Sequence, residues 1–150
     1  MRIFCDTNIV MEFLQERKFF LEVKQILTNA INNGDTLYIS YGSFYTITYL
    51  TEMYLKADKS LSKEMRINKL RYILNGILNT FFLADQHASS IIAGVNDLNF
   101  DDLEDSYQAH IAEHAACDVL LTINEKHFAR YSSTANMNIL TPVEFIKQYI

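Results

Sequence analysis

The sequence predicts a three-layer α/β domain: a central, mainly parallel sheet of four to five strands covered by helices on both faces. Two observations predict it. Short apolar runs ending in polar residues alternate with segments whose apolar residues recur at helical spacing. No stretch of the sequence repeats another. Strand–helix alternation of this kind implies parallel strands joined by right-handed crossovers, with a helix on one face or the other.

The elements follow in order. "RIFC" is a short apolar strand ending at "DTN", after which "IVMEFL" resumes at helical spacing. From Phe19 to Ile31 the residues Phe20, Val23, Ile26, Leu27, Ala30 and Ile31 keep an amphipathic rhythm, and Gly34 in "NNGD" is a natural C-cap. "TLYIS" is a second strand. Residues 43–56 and 62–79 are two further helices. The first carries tyrosines, which with Tyr38 and Tyr41 form a stripe read as core and rim; the second shows Met65, Leu70, Ile73, Leu74, Ile77 and Leu78 on one face. "TFFLA" is a third strand and "HASSIIAGVN" a short helix. The helix opening near Asp102 runs to Ala116, and "DVLLT" is a fourth strand. After "INEKHF" and a polar loop, "NIL" is a short last strand. "TPVEFIKQYI" then begins with Thr141 as N-cap, Pro142 at N1 and Glu144 at N3, a capping box.

The 150 residues fit one domain spanning 1–150, with 49% hydrophobic residues to build a core, and only four glycines and one proline argue against disorder. Cys5 and Cys117 are two thiols without histidines at zinc-ligand spacing. "MRIFCD" is too short an apolar run for a signal peptide, and no apolar run approaches the roughly 20 residues of a membrane span. The expectation is a cytoplasmic protein with reduced thiols and no membrane contact. A net charge of -5 argues against a general nucleic-acid binder but leaves room for a polyanion held through a divalent metal.

In an open α/β sheet, ligands bind beyond the carboxyl ends of the strands. Asp6, Thr7 and Asn8 follow the first strand; Thr122 and Asn124 follow the fourth. "FDDLEDSYQAH" places Asp101, Asp102, Glu104 and Asp105 at a helix start between the third and fourth strands. Two readings stand for each group. Asp6 caps the following helix, or it binds a cation; Asp102 and Asp105 are N-cap and N3 of a well-capped helix, or they jointly hold a cation from one helix face. An oxygen-rich site at these positions suits Mg²⁺ or Mn²⁺. Asn124 alone reads as a turn residue, and Glu12 as a solvated or rim acid, with a further acid of the site as the alternative. The His110/His114 pair has Ile111 where a zinc protease needs glutamate, so it reads as surface or packing.

"IFCDTNIVMEFL" and "DLEDSYQAHIAEHAACDVLLTINEKHF", in this order within the α/β frame, resemble a PIN domain over essentially the whole chain. The likeness is closest to the small bacterial stand-alone type related to VapC toxins of toxin–antitoxin systems. It implies a FLAP-nuclease-like fold and a Mg²⁺- or Mn²⁺-dependent ribonuclease leaving 5′-phosphate and 3′-hydroxyl ends. The family's first acid falls on Asp6, its helix-borne aspartate on Asp105 with Glu104 and Asp102 beside it, and its T-x-[DN] motif on Thr122 and Asn124. The sequence departs from the family twice: Thr46 stands where most members carry a glutamate, and His127 where many carry an aspartate.

The resemblance implies an RNA phosphodiesterase that is the toxin of such a pair. Asp6 and Asp105 would be metal ligands, Asp102 a third, Asn124 would orient water or phosphate, and Glu104, Thr7, Thr122 and Thr46 would support them. It further implies an RNA substrate, a small antitoxin partner and a homodimer. A second reading is a PIN domain with a weakened site that serves as an RNA-binding or protein-interaction module, suggested by Thr46 and the acidic charge. A third, a receiver-like signalling domain, needs a lysine ending the last strand, and none is there.

Overall fold

Side chains alternate between the two sides of each strand, and this divides the interior of the computed structural model, which describes residues 1–150, into two apolar layers. Strands β1 (Arg2–Cys5), β2 (Thr36–Ser40), β3 (Phe82–Ala84), β4 (Val119–Leu121) and β5 (Asn138–Leu140) form one sheet in the order β3-β2-β1-β4-β5. Every pairing is parallel; Ile3 stands opposite both Leu37 and Val119, and Phe4 opposite Tyr38 and Leu120. Ile3, Cys5, Leu37, Ile39, Val119 and Leu121 face one layer, while Phe4, Leu120 and Ala84 face the other.

Helices α1 (Thr7–Leu14), α2 (Phe20–Asn33), α3 (Tyr41–Ala57), α4 (Lys63–Thr80) and α8 (Pro142–Tyr149) contribute to the first layer. Helices α5 (Ala88–Asn96) and α6 (Leu103–His114), a 3₁₀ turn (Glu125–Phe128) and α7 (Ala129–Ser132) build the second around the fully buried Phe128. Their ends are set as the sequence predicts. Gly34 closes α2 in the left-handed conformation at φ 71°, and Thr141 and Glu144 make a reciprocal capping box on α8. No helix is long and apolar enough to cross a membrane.

Several expectations are corrected. The third strand is three residues rather than five, because Thr80 ends α4 and Phe81 caps it. On α4, Leu70 and Ile77 are buried but Met65 and Leu78 are exposed. The tyrosine stripe of α3 lies outward: Tyr45, Tyr49 and Tyr54 are exposed, while Ser43, Ile47, Thr51 and Leu55 form the inward row. The segment after "INEKHF" is not loop throughout, since the 3₁₀ turn and α7 occupy it.

Candidate metal centre

A buried polar chain runs across the carboxyl ends of β2, β1 and β4, where the strand order reverses. Its centre is Asp6, 0% exposed, directly after β1. Although Asp6 occupies the N-cap position of α1, its carboxylate makes no capping hydrogen bond. Oδ2 instead accepts from Thr122 Oγ1 beyond β4 at 2.9 Å, and Oδ1 accepts from Gln108 Nε2 on α6 at 2.8 Å. That decides between the two readings of Asp6: the carboxylate is turned into the site, not onto its own helix.

The network extends in both directions. Thr122 Oγ1 accepts from the backbone N–H of Asn124 at 3.0 Å, closing the turn after β4. The Thr7 hydroxyl donates to Glu104 Oε1 at 3.2 Å and lies 2.9 Å from Ser43 Oγ. Ser43 donates to Gln108 Oε1 at 3.1 Å, and its own backbone N–H caps on Ser40 Oγ at 2.8 Å. Three elements are thereby tied around Asp6 by side chains whose polar atoms are paired, as burial requires.

Asp102 and Asp105 divide the two roles the sequence offered them. Asp102 Oδ1 caps α6, accepting from the N–H of Glu104 at 2.9 Å and of Asp105 at 3.4 Å, while its second oxygen has no partner in the chain. Asp105, buried on the first turn, uses Oδ2 to accept from His127 at 2.7 Å and leaves Oδ1 unpartnered. One donor atom each from Asp102, Asp105 and His127 fall within 4.8 Å of one another.

Electrostatics of the cluster are unfavourable by themselves. Burial pushes the Asp6 carboxyl up to about 6; hydrogen bonds from Thr122 and Gln108 work against this, and the Asp105 and Glu104 carboxylates add to it. Asp105 is raised as well, first by burial, with Asp102 and Glu104 adding and His127 opposing. Carboxylates gathered in a desolvated corner, with oxygens left free, fit a hard divalent cation such as Mg²⁺ or Mn²⁺, whose charge relieves their repulsion.

The other predicted residues take distinct places. Asn124 is half-buried at the start of the 3₁₀ turn, and its side chain makes no hydrogen bond within the chain. Thr46 is half-buried on α3 without a side-chain hydrogen bond and does not join the network. Glu12, expected at a solvated rim, is buried, and its Oε2 accepts from the Phe19 N–H at 2.7 Å, which fixes the α1–α2 connection. His110 pairs with Asp97 at 2.9 Å and His114 packs on His87, so that pair is structural.

Three network members escape the sequence reading, Ser40, Ser43 and Gln108. Gln108 had a usable signal, because it lies three residues beyond Asp105 and shares its helix face. Ser43 had only its place three residues after the capping Ser40.

A family model of the PIN domain matches residues 2–126. A chain in the crystal structure of VapBC2 from Rickettsia felis, bound to a DNA fragment from their promoter, superposes with a TM-score of 0.68 at 18% identity, covering 94% of this chain and 98% of that one. A chain of VapBC-1 from nontypeable Haemophilus influenzae gives a TM-score of 0.60 at 15% identity, covering 95% and 99%. At such identities the likeness establishes the fold. Among curated proteins none matches the sequence.

Proposed function

This chain belongs to the PIN domain family, and on that premise we propose that it is a Mg²⁺- or Mn²⁺-dependent endoribonuclease, the toxin of a toxin–antitoxin pair. The observation that carries the proposal is the orientation of Asp6. Its carboxylate forgoes the helix cap and is held by Thr122 and Gln108 near the Asp105 carboxylate at the strand-order switch.

Asp6 and Asp105 would hold the ion, with Asp102 reaching it through the oxygen that does not cap α6. When bound, the ion lowers the pKa of a water and neutralises charge on the scissile phosphate. The chain supplies the positioning. Thr122 and Gln108 fix the Asp6 carboxylate, and Asn124 presents an unengaged amide that can orient water or phosphate. Thr46 leaves the α3 side without the family's usual glutamate; Glu104, held by Thr7, keeps a carboxylate on that flank.

The VapBC structures support a small antitoxin as partner. So does an apolar groove of about 570 Å³ lined by α1, α2 and α4 side chains, among them Phe13, Leu27, Ile31 and Ile73. The same reading makes the protein a cytoplasmic homodimer of single-domain subunits. A second reading, a weakened PIN domain that binds RNA or protein without cleavage, is favoured by Thr46 and the net charge of -5.

Incubation of single-stranded RNA with purified protein and Mn²⁺ separates them. Cleavage that disappears with EDTA and in Asp6→Asn supports the nuclease. Retained RNA binding without cleavage favours the second reading, and undiminished cleavage by Asp6→Asn removes this site from the chemistry.

A further inference from the structure

His127 departs from the aspartate that many members of the family carry before this phenylalanine, and its imidazole faces the carboxylates rather than solvent alone. Nδ1 lies 2.7 Å from Asp105 Oδ2, and the donor atoms of Asp102, Asp105 and His127 all fall within 4.8 Å of one another. Two neighbouring donors of an octahedral ion, each at about 2.1 Å, stand about 3 Å apart. The Asp105–His127 separation is close to that edge, so an ion can take both atoms with little movement of either.

The arm bearing His127 is held in place from below. The next residue, Phe128, is fully buried and meets Phe100 edge-to-face, with ring centroids 5.6 Å apart at 88°. Phe100 lies two residues before Asp102, so one aromatic contact joins the two segments that carry the three donors. On the surface Arg130 also pairs with Asp101, an exposed contact that adds little to the aromatic one. Rigid support of this kind keeps a ligand set in register.

We infer that His127 is a nitrogen ligand of the divalent ion and that, with Asp102 and Asp105, it makes a mixed carboxylate–imidazole site preferring Mn²⁺ to Mg²⁺. Carboxylates and water serve both ions, whereas an imidazole nitrogen suits transition metals and gives Mg²⁺ little. The inference rests on the metal-dependent reading above but is separable from it, since Asp6 and Asp105 can hold an ion without His127.

The test uses tag-free protein in imidazole-free buffer, loaded with Mn²⁺ and examined by pulsed EPR, alongside calorimetric titrations of Mn²⁺ and Mg²⁺. The wild-type spectrum should show the ¹⁴N coupling of a coordinated imidazole, absent in His127→Gln. His127→Asp should lower the ratio of Mn²⁺ to Mg²⁺ affinity by about tenfold, the scale on which changes around a metal act. An imidazole that merely orients Asp105 would not give the nitrogen coupling, and the wild-type spectrum decides this even if a variant fails to fold. Bound Mn²⁺ without nitrogen coupling overturns the inference and leaves the metal centre standing. No Mn²⁺ binding by the wild type overturns both.

Discussion

Thr122 Oγ1 donates to Asp6 Oδ2 at 2.9 Å, joining the carboxyl ends of β4 and β1 across the point where the strand order reverses. The contact spends a buried carboxylate on a neighbouring strand rather than on its own helix, and it offsets the rise in the Asp6 pKa only in part, since burial and the nearby acids outweigh it. The folded chain therefore carries an electrostatic penalty at its centre that a cation can remove.

Asp6→Asn should stabilise the metal-free protein at neutral pH, raising its Tm by a few degrees. The amide keeps the shape of the carboxylate and removes a buried charge. Its oxygen can accept from Gln108 while the Thr122 hydroxyl turns to accept from its NH₂ group. The same variant should lose the rise in Tm that Mn²⁺ produces in the wild type. Calorimetric scans with EDTA and with Mn²⁺ read both effects.

The pH dependence of stability follows in sign. Asp6 rises from 3.8 to about 6 on folding, so between those values the folded chain holds a proton that the unfolded chain has released. Its contribution is fully present below 3.8 and is lost as pH rises through about 6. Groups elsewhere titrate as well, Glu144 being lowered by its hydrogen bonds with Thr141. The comparison to make is therefore wild type against Asp6→Asn in EDTA. Urea midpoints of the two should diverge in favour of the variant across that window and run parallel above it.

Much of the fold is legible in the sequence because its signals are local. β1, β2 and β5 are apolar runs bounded by turn residues, and Gly34 and the Thr141–Glu144 box mark helix ends by their own chemistry. α3 shows where this stops. It carries two rows at four-residue spacing, Tyr45–Tyr49–Met53 and Ser43–Ile47–Thr51–Leu55; the large aromatic side chains draw the eye to the first, while the fold buries the second, where Ile47 and Leu55 are interleaved with small polar residues that mask the apolar stripe. The 3₁₀ turn and α7 escaped because in "EKHFARYS" only Phe128 and Tyr131 are buried, too few to set a period. At the site, the charged residues were legible by type. Ser43 carried no such mark, and Gln108 only its place on the helix face of Asp105, since the contacts that matter, Gln108 to Asp6 and Ser43 to Gln108, join residues far apart in the chain.

Phe128→Ala should cost about 3–5 kcal/mol, the range for emptying a fully buried aromatic position. It also removes the contact with Phe100 that joins the Asp102 and His127 segments. Denaturant unfolding gives the stability loss. Weakened Mn²⁺ binding measured on protein still folded shows that the anchor positions the donors.

Gly34→Ala tests the α2 cap apart from the site. At φ 71° a Cβ is disfavoured although no neighbouring atom lies within 4 Å of where it would sit. The loss should be about 1 kcal/mol from backbone strain alone. Urea unfolding should show it with Mn²⁺ affinity unchanged.

Calorimetric titration of Mn²⁺ into the wild-type protein and into Asp105→Asn shows whether the buried carboxylates form a metal centre. The wild type should bind saturably at millimolar or lower Mn²⁺ and the variant should not, with the fold of both verified by circular dichroism. Absence of binding by the folded wild type, or isotherms that coincide for the two proteins, would contradict it.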